Sequence, residues 1–137
     1  MIDDTRFKQR DVGYFVNGGA AMDRIGLVHR WSDATVVGNL VFIAGHTAEK
    51  SLGQSVGSQT REVLALLEQT LVRSGSDKQN LAFVQIFLAD ISKIDEMNAV
   101  WDVWVPVGAA PARATVEARL AHSDYQIEVT AIAVRND

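Results

Sequence analysis

The sequence predicts an α+β fold: a mixed sheet with two helices on one face. Three observations carry this. Two stretches repeat apolar residues at helical spacing, period-two runs flank each of them, and the order is ββ-α-β-α-ββ. The chain has 137 residues, one domain's length, and 47% hydrophobic against 22% charged residues is the balance of a folded core. A chain of this size buries roughly two-thirds of its surface on folding and needs no disulfide or metal to do so.

Residues 1–28 hold Gly13, Gly18, Gly19 and Gly26 and no sustained period. They read as an N-terminal arm or extra hairpin, with a short strand at 14–16 and a turn at Asn17-Gly18-Gly19. Residues 29–137 form the domain proper. Strands are expected at 34–37 and 40–44, joined by a tight turn at Gly38-Asn39, residues that tolerate positive φ. Gly45 is taken to end the second strand, with loop from 46 to 57. In the first helix, 58–74, Val63, Leu67 and Leu71 form a stripe with Leu64 beside it, and Gly75 stands where a left-handed C-cap belongs. The strand at 81–89 puts Val84, Ile86 and Leu88 on one face. The second helix starts at Ser92 with capping-box spacing to Asp95 and carries Met97, Trp101, Trp104 and Val105; Gly108 and Pro111 stop it. In the strand at 113–120, Ala114, Val116, Ala118 and Leu120 oppose Arg113, Thr115, Glu117 and Arg119. In that at 126–134, Ile127, Val129, Ala131 and Ala133 share a face.

Several function classes fall away. With no cysteine there is no disulfide framework, thiolate metal site or cysteine nucleophile. GxGxxG, GxxxxGK[ST], HExxH and GxSxG are missing. His29, His46 and His122 lack metal-ligand spacing and read as surface or loop residues. Net charge is −4 and Lys and Arg do not cluster, which argues against nucleic acid. No apolar run approaches the roughly 20 residues of a membrane helix. The Met1-Ile2-Asp3-Asp4 start lacks the basic and apolar regions of a signal peptide, so a cytoplasmic protein without membrane or nucleic-acid partners is expected.

Two charged residues lie inside strands and are candidates for chemistry. Arg113 follows Pro111 at a strand entrance, where loops meet and clefts form. It is either solvated or an anchor for a carboxylate, which its planar fork matches bidentately. Glu128, between Ile127 and Val129, is either exposed on an open sheet face or placed to handle protons. In a simple hairpin about Ser123 the two would lie roughly 13 Å or more apart. Either these strands are not neighbours, or the site joins two chains. Trp101 and Trp104 fit a helix stripe; Trp31, just before a strand, is a core residue or a pocket wall.

The ordered set Gly38-Asn39, Ile43-Ala44-Gly45, Thr60, Ile86-Phe87-Leu88-Ala89-Asp90, Met97-Asn98, Pro111-Ala112-Arg113 and the run 127–133 resembles the Rid family of YjgF-type imine and enamine deaminases, over about residues 30–135. Arg30-Trp31-Ser32-Asp33 and the run 101–105 look most like the YoaB-type branch. The resemblance implies a chorismate-mutase-like single domain that assembles as a homotrimeric barrel, with pockets between subunits. It implies that Arg113 binds the carboxylate of a 2-imino or 2-enamino acid and that Glu128 orients the attacking water, giving a 2-keto acid and ammonia with no cofactor or metal. Trp31, Ala44, Gly45 and Thr115 fall at the substrate-binding positions. Where many of these deaminases carry tyrosine, serine and cysteine, this chain has Trp31, Ala44 and Thr115. The pocket is then more apolar, and a substrate bulkier than iminopropionate is expected. The alternative is a non-catalytic trimer that binds small carboxylates as a sensor or interaction module. Ribonuclease activity, known for some relatives, is disfavoured by the acidic charge.

Overall fold

Strand pairing begins at the edge farthest from the candidate residues. The computed structural model describes residues 13–17 and 20–137, with side chains from residue 21 onward. Residues 1–12 of the expected arm, and Gly18 and Gly19 of its expected turn, lie outside the described residues. β1 (Gly13–Asn17) and β2 (Ala20–Ile25) form an antiparallel pair. β2 joins β3 (Ala34–Val37), and β3 joins β4 (Leu40–Thr47) through a two-residue turn. Gly38 alone has positive φ there, 60°, as a type II′ hairpin requires. The sheet continues through β5 (Leu81–Leu88), β6 (Ala112–Glu117) and β7 (Ile127–Val134) in the order β1-β2-β3-β4-β7-β5-β6. Among the described residues only the β5–β6 pairing is parallel, so the sheet is mixed and β6 is its far edge.

α1 (Val56–Arg73) and α2 (Ile94–Trp104) cover one face, which carries Val36, Ile43, Val84, Ile86, Val129 and Ala131 in a single buried cluster with Leu67, Leu71 and Met97. Truncating one of the larger members would cost about 2–5 kcal/mol. The expected stripe of α1 is fully buried. The helix starts two residues earlier than expected because the Ser55 side chain accepts from Ser58 N at 3.2 Å. It ends as expected at Gly75 (φ 79°), in a Schellman motif: Ser76 N donates to Leu71 O at 2.9 Å and Gly75 N to Val72 O at 3.1 Å.

Three boundaries differ from expectation. β4 runs through Gly45 to Thr47, because a β-bulge between Ile43 and His46 lets Ala44 and Gly45 share one place opposite β7. The capping box at Ser92 does not form. Asp90 accepts from Ser92 N at 2.9 Å and from its hydroxyl at 2.7 Å, starting a 3₁₀ turn that precedes α2. α2 stops at Trp104, before Gly108, because Pro106 drives Val105 into the extended region (φ −69°, ψ 132°).

The loop after β4 is held by one carboxylate. Glu62 on α1 accepts from the amides of Glu49, Lys50 and Ser51 and from the Ser51 hydroxyl at 2.6–3.1 Å. Burial pushes its carboxyl up, but the Ser51 hydroxyl and the backbone amides outweigh this and leave it below its ordinary value of 4.5. Because the folded-state value is the lower, the stabilisation is fully present above pH 4.5 and is lost as pH falls through the folded value. Glu62→Gln should therefore lower stability by about 1 kcal/mol at pH 7, after allowance for solvent screening. Urea midpoints should show the gap to wild type narrowing on acidification; a gap that widens would remove this account of the clamp.

Candidate functional site

Arg113 lies on edge strand β6, paired with Val84, so its side chain leaves the sheet on the helix-covered face. There α2 receives it. Arg113 Nη1 donates to Asn98 Oδ1 at 2.9 Å, and the guanidinium carbon stands 5.1 Å from the Trp101 ring centroid. Asn98 and Trp101, three residues apart, share one helix face, so hydrogen bond and stacking fix the guanidinium together. Among the described residues no carboxylate pairs with this half-buried cation. Its remaining N–H groups keep the fork that a carboxylate ligand matches. Thr115, two residues on, shares this face, and its buried Oγ1 has no hydrogen-bond partner.

Glu128 stands on β7 opposite Phe87, which places it on the open face. Its carboxyl lies directly on the backbone of Gly45: a Cβ added there would meet Glu128 Cδ at 3.0 Å and Oε1 at 3.1 Å. A side chain here would require the Glu128 carboxyl to shift by a few tenths of an ångström. Ala44 precedes it in the bulge, with its amide donating to Asp33 O at 2.9 Å. Trp31, 43% exposed, stands in the loop just before Asp33, and its carbonyl accepts from Val28 N at 2.9 Å. Among the described residues the half-buried Glu128 carboxylate has neither ion pair nor hydrogen bond.

The structure thus gathers Arg113 with Thr115, and Glu128 with Ala44 and Gly45, but does not join the two groups. β5 lies between β6 and β7, so the simple hairpin is absent. Arg113 and Glu128 project from opposite faces, their Cα atoms about 14 Å apart by strand geometry. One chain alone carries each half at a different place.

Two residues escaped the sequence reading. In the sequence Asn98 stands out only within the Met97-Asn98 pair, and its i,i+3 relation to Trp101 is the signal that places it beside the ring. His46 was read as a loop or surface residue. It is 6% exposed on β4, with Nδ1 2.7 Å from Ala44 O and Nε2 2.8 Å from Thr70 Oγ1. His29 and His122 are exposed. Among the described residues no cluster of three or more His, Cys, Asp or Glu side chains is placed to hold a metal ion, and no helix is long and apolar enough to cross a membrane.

Two helices on one face of this mixed sheet, with an uncovered apolar face opposite, define a protein of the chorismate-mutase-like α+β class. A family model described as "Endoribonuclease L-PSP" matches residues 21–135. A RutC family protein of Haemophilus influenzae is 40% identical over 104 residues, covering 76% of this chain and 90% of the relative. The RutC family protein YoaB of Escherichia coli is 36% identical over 110 residues, covering 80% and 95%. The crystal structure of a YjgF-family member from Neisseria meningitidis superposes with a TM-score of 0.80 at 38% identity, covering 85% of this chain and 96% of the other. At 30% identity over 108 residues, the chain also matches "Reactive Intermediate Deaminase A, chloroplastic" of Arabidopsis thaliana, covering 75% of this chain and 57% of that one. The chain belongs to the YjgF/RutC, or Rid, family, and within it is similar to the YoaB-type branch.

Proposed function

We propose that this protein hydrolyses reactive 2-imino and 2-enamino acids to 2-keto acids and ammonia, as a homotrimer whose pockets lie between subunits. The observation that carries this reading is Arg113: a half-buried guanidinium oriented by Asn98 and Trp101, with no carboxylate paired to it among the described residues. It anchors the substrate carboxylate and so fixes the adjacent imine carbon. Glu128 from a neighbouring chain takes a proton from water as the oxygen adds to that carbon. That proton passes to nitrogen, the hydroxyl so formed gives its own proton to the amine as the C–N bond breaks, and ammonia leaves as the carbonyl forms. An enamine first tautomerises to the imine. Positioning and one proton-handling group suffice, because the uncatalysed hydrolysis is already fast. The chemistry calls for no cofactor, and the net charge of −4 works against an RNA substrate.

The oligomer is supported by the sheet's open face. Leu40, Phe42, Val116 and Val134 lie there 37–44% exposed, on the side that carries Glu128 and that none of the described helices covers. Such a patch is suited to association with further copies of the chain. Sedimentation should give a trimer at micromolar concentration, and Phe42→Glu should dissociate it. A stable wild-type monomer would remove the shared pocket.

The direct test generates imino acids in situ with an amino-acid oxidase and follows their decay. Acceleration is expected, faster for the leucine-derived than for the alanine-derived imine. Saturable binding of 2-keto acids without acceleration would replace the enzyme by a carboxylate-binding module.

A further inference from the structure

We propose that His46 is a positioning residue for the water-handling half of the site: it holds the Ala44–Gly45 bulge and, through it, the Glu128 carboxylate. This rests on the deaminase reading above.

A bulge breaks the ladder, so its backbone groups need other partners. Ala44 N is satisfied on the β3 side, by Asp33 O at 2.9 Å. Ala44 O is satisfied by His46 Nδ1 at 2.7 Å. A carbonyl only accepts, so Nδ1 carries the proton; Nε2 lies 2.8 Å from Thr70 Oγ1, whose hydroxyl is also 3.1 Å from Leu66 O. The imidazole is thus wedged between the bulge and α1. One helical turn further along α1, Arg73 pairs with Asp33 at 3.2 Å. The helix therefore grips the bulge twice, through Thr70 and His46 to the Ala44 carbonyl, and through Arg73 and Asp33 to the Ala44 amide. Gly45, next in the chain, is in contact with the Glu128 carboxyl. With so little room at that contact, displacing the bulge displaces the carboxylate. Arg113 shares the helix-covered face with His46 but stands three strands away on β6, held by α2 and not by α1.

His46→Leu fills the space and removes both hydrogen bonds. His46→Asn places an amide nitrogen near the position of Nδ1 and retains the donor to Ala44 O. In imine hydrolysis by the full chain, His46→Leu should lower kcat on the order of 100-fold, as expected for a catalytic group misplaced by about 1 Å. KM should stay within about twofold, because Arg113 still holds the carboxylate. His46→Asn should recover most of the loss. Wild-type kcat in His46→Leu would overturn the inference, as would kcat and KM worsening together with no rescue by Asn. Selective labelling gives a second measurement that is independent of activity. His46→Leu should shift the Gly45 amide and Glu128 carboxyl resonances while leaving the Arg113 guanidinium signal in place, and His46→Asn should restore them. An inactive wild type with these shifts would refute the deaminase reading and leave the brace standing; unmoved Gly45 and Glu128 signals would refute the brace.

Discussion

Arg113→Ala should abolish the acceleration of imine hydrolysis, with kcat/KM falling at least about 100-fold. Each charge-assisted hydrogen bond contributes roughly 1.5–3 kcal/mol, and about 1.4 kcal/mol is a factor of ten, so losing a bidentate pair leaves little beyond the uncatalysed rate. Arg113→Lys should fall between the two. A lysine keeps a point charge but neither the fork, the stack on Trp101 nor the geometry of the Asn98 contact. The fold should survive both changes. Arg113 is half-buried on an edge strand, and its loss leaves only the Asn98 carbonyl oxygen to find water. Melting temperatures close to wild type, measured beside the rates, separate loss of anchoring from loss of structure. Arg113→Ala turning over imines at the wild-type rate would sink the assignment.

Glu128→Gln should lower kcat by roughly 100-fold or more while leaving KM near its wild-type value, the signature of a proton-handling group that acts after the substrate has bound. Its effect on stability should run the other way. The wild-type carboxylate is half-buried on Gly45 with no described counter-ion or hydrogen-bond donor, and an unpaired charge in that position costs free energy. Glutamine of nearly the same shape removes the cost, so the variant should melt no lower than wild type. A slow enzyme that is equally or more stable is what a functional carboxylate predicts. An unchanged kcat would assign Glu128 to the sheet surface alone.

Much of the fold was legible because its periodicities are unbroken. The α1 stripe, the buried faces of β5 and β7, and the Gly38-Asn39 turn all follow from spacing and turn chemistry. Reading failed where a local competitor decided the outcome. Asp90 captured the Ser92 amide that a capping box would have used, and Pro106 ended α2 at Trp104, short of Gly108. In β4 the bulge interrupts alternation: Ile43 and His46, three apart, both face the helices. A reader using period two ends the strand at Gly45 and puts His46 in a loop. On β6 the alternation was right, but the charged residues, not the small apolar ones, turn toward the helices, because Trp101 and Asn98 are there to receive Arg113. The relation of Arg113 to Glu128 was out of reach, since it depends on β5 entering between their strands, a non-local pairing that no spacing within the segment from 113 to 134 encodes.

The bulge also sets which changes of length this chain tolerates. Point substitutions along β4 alter one side chain each, but deleting a single residue between Ile43 and His46 would restore strict alternation and abolish the bulge, with His46 still on the face of Ile43. The imidazole would keep to the helix-covered face, but the displaced carbonyl and amide that it and Asp33 hold would return to the ladder, undoing the attachment to α1. Insertions have a safer address nearby, around Gly53, where the chain turns at the surface with nothing within 4 Å of an added Cβ. Across related sequences, length should therefore vary in the loop after β4 and stay fixed from Gly38 to Thr47.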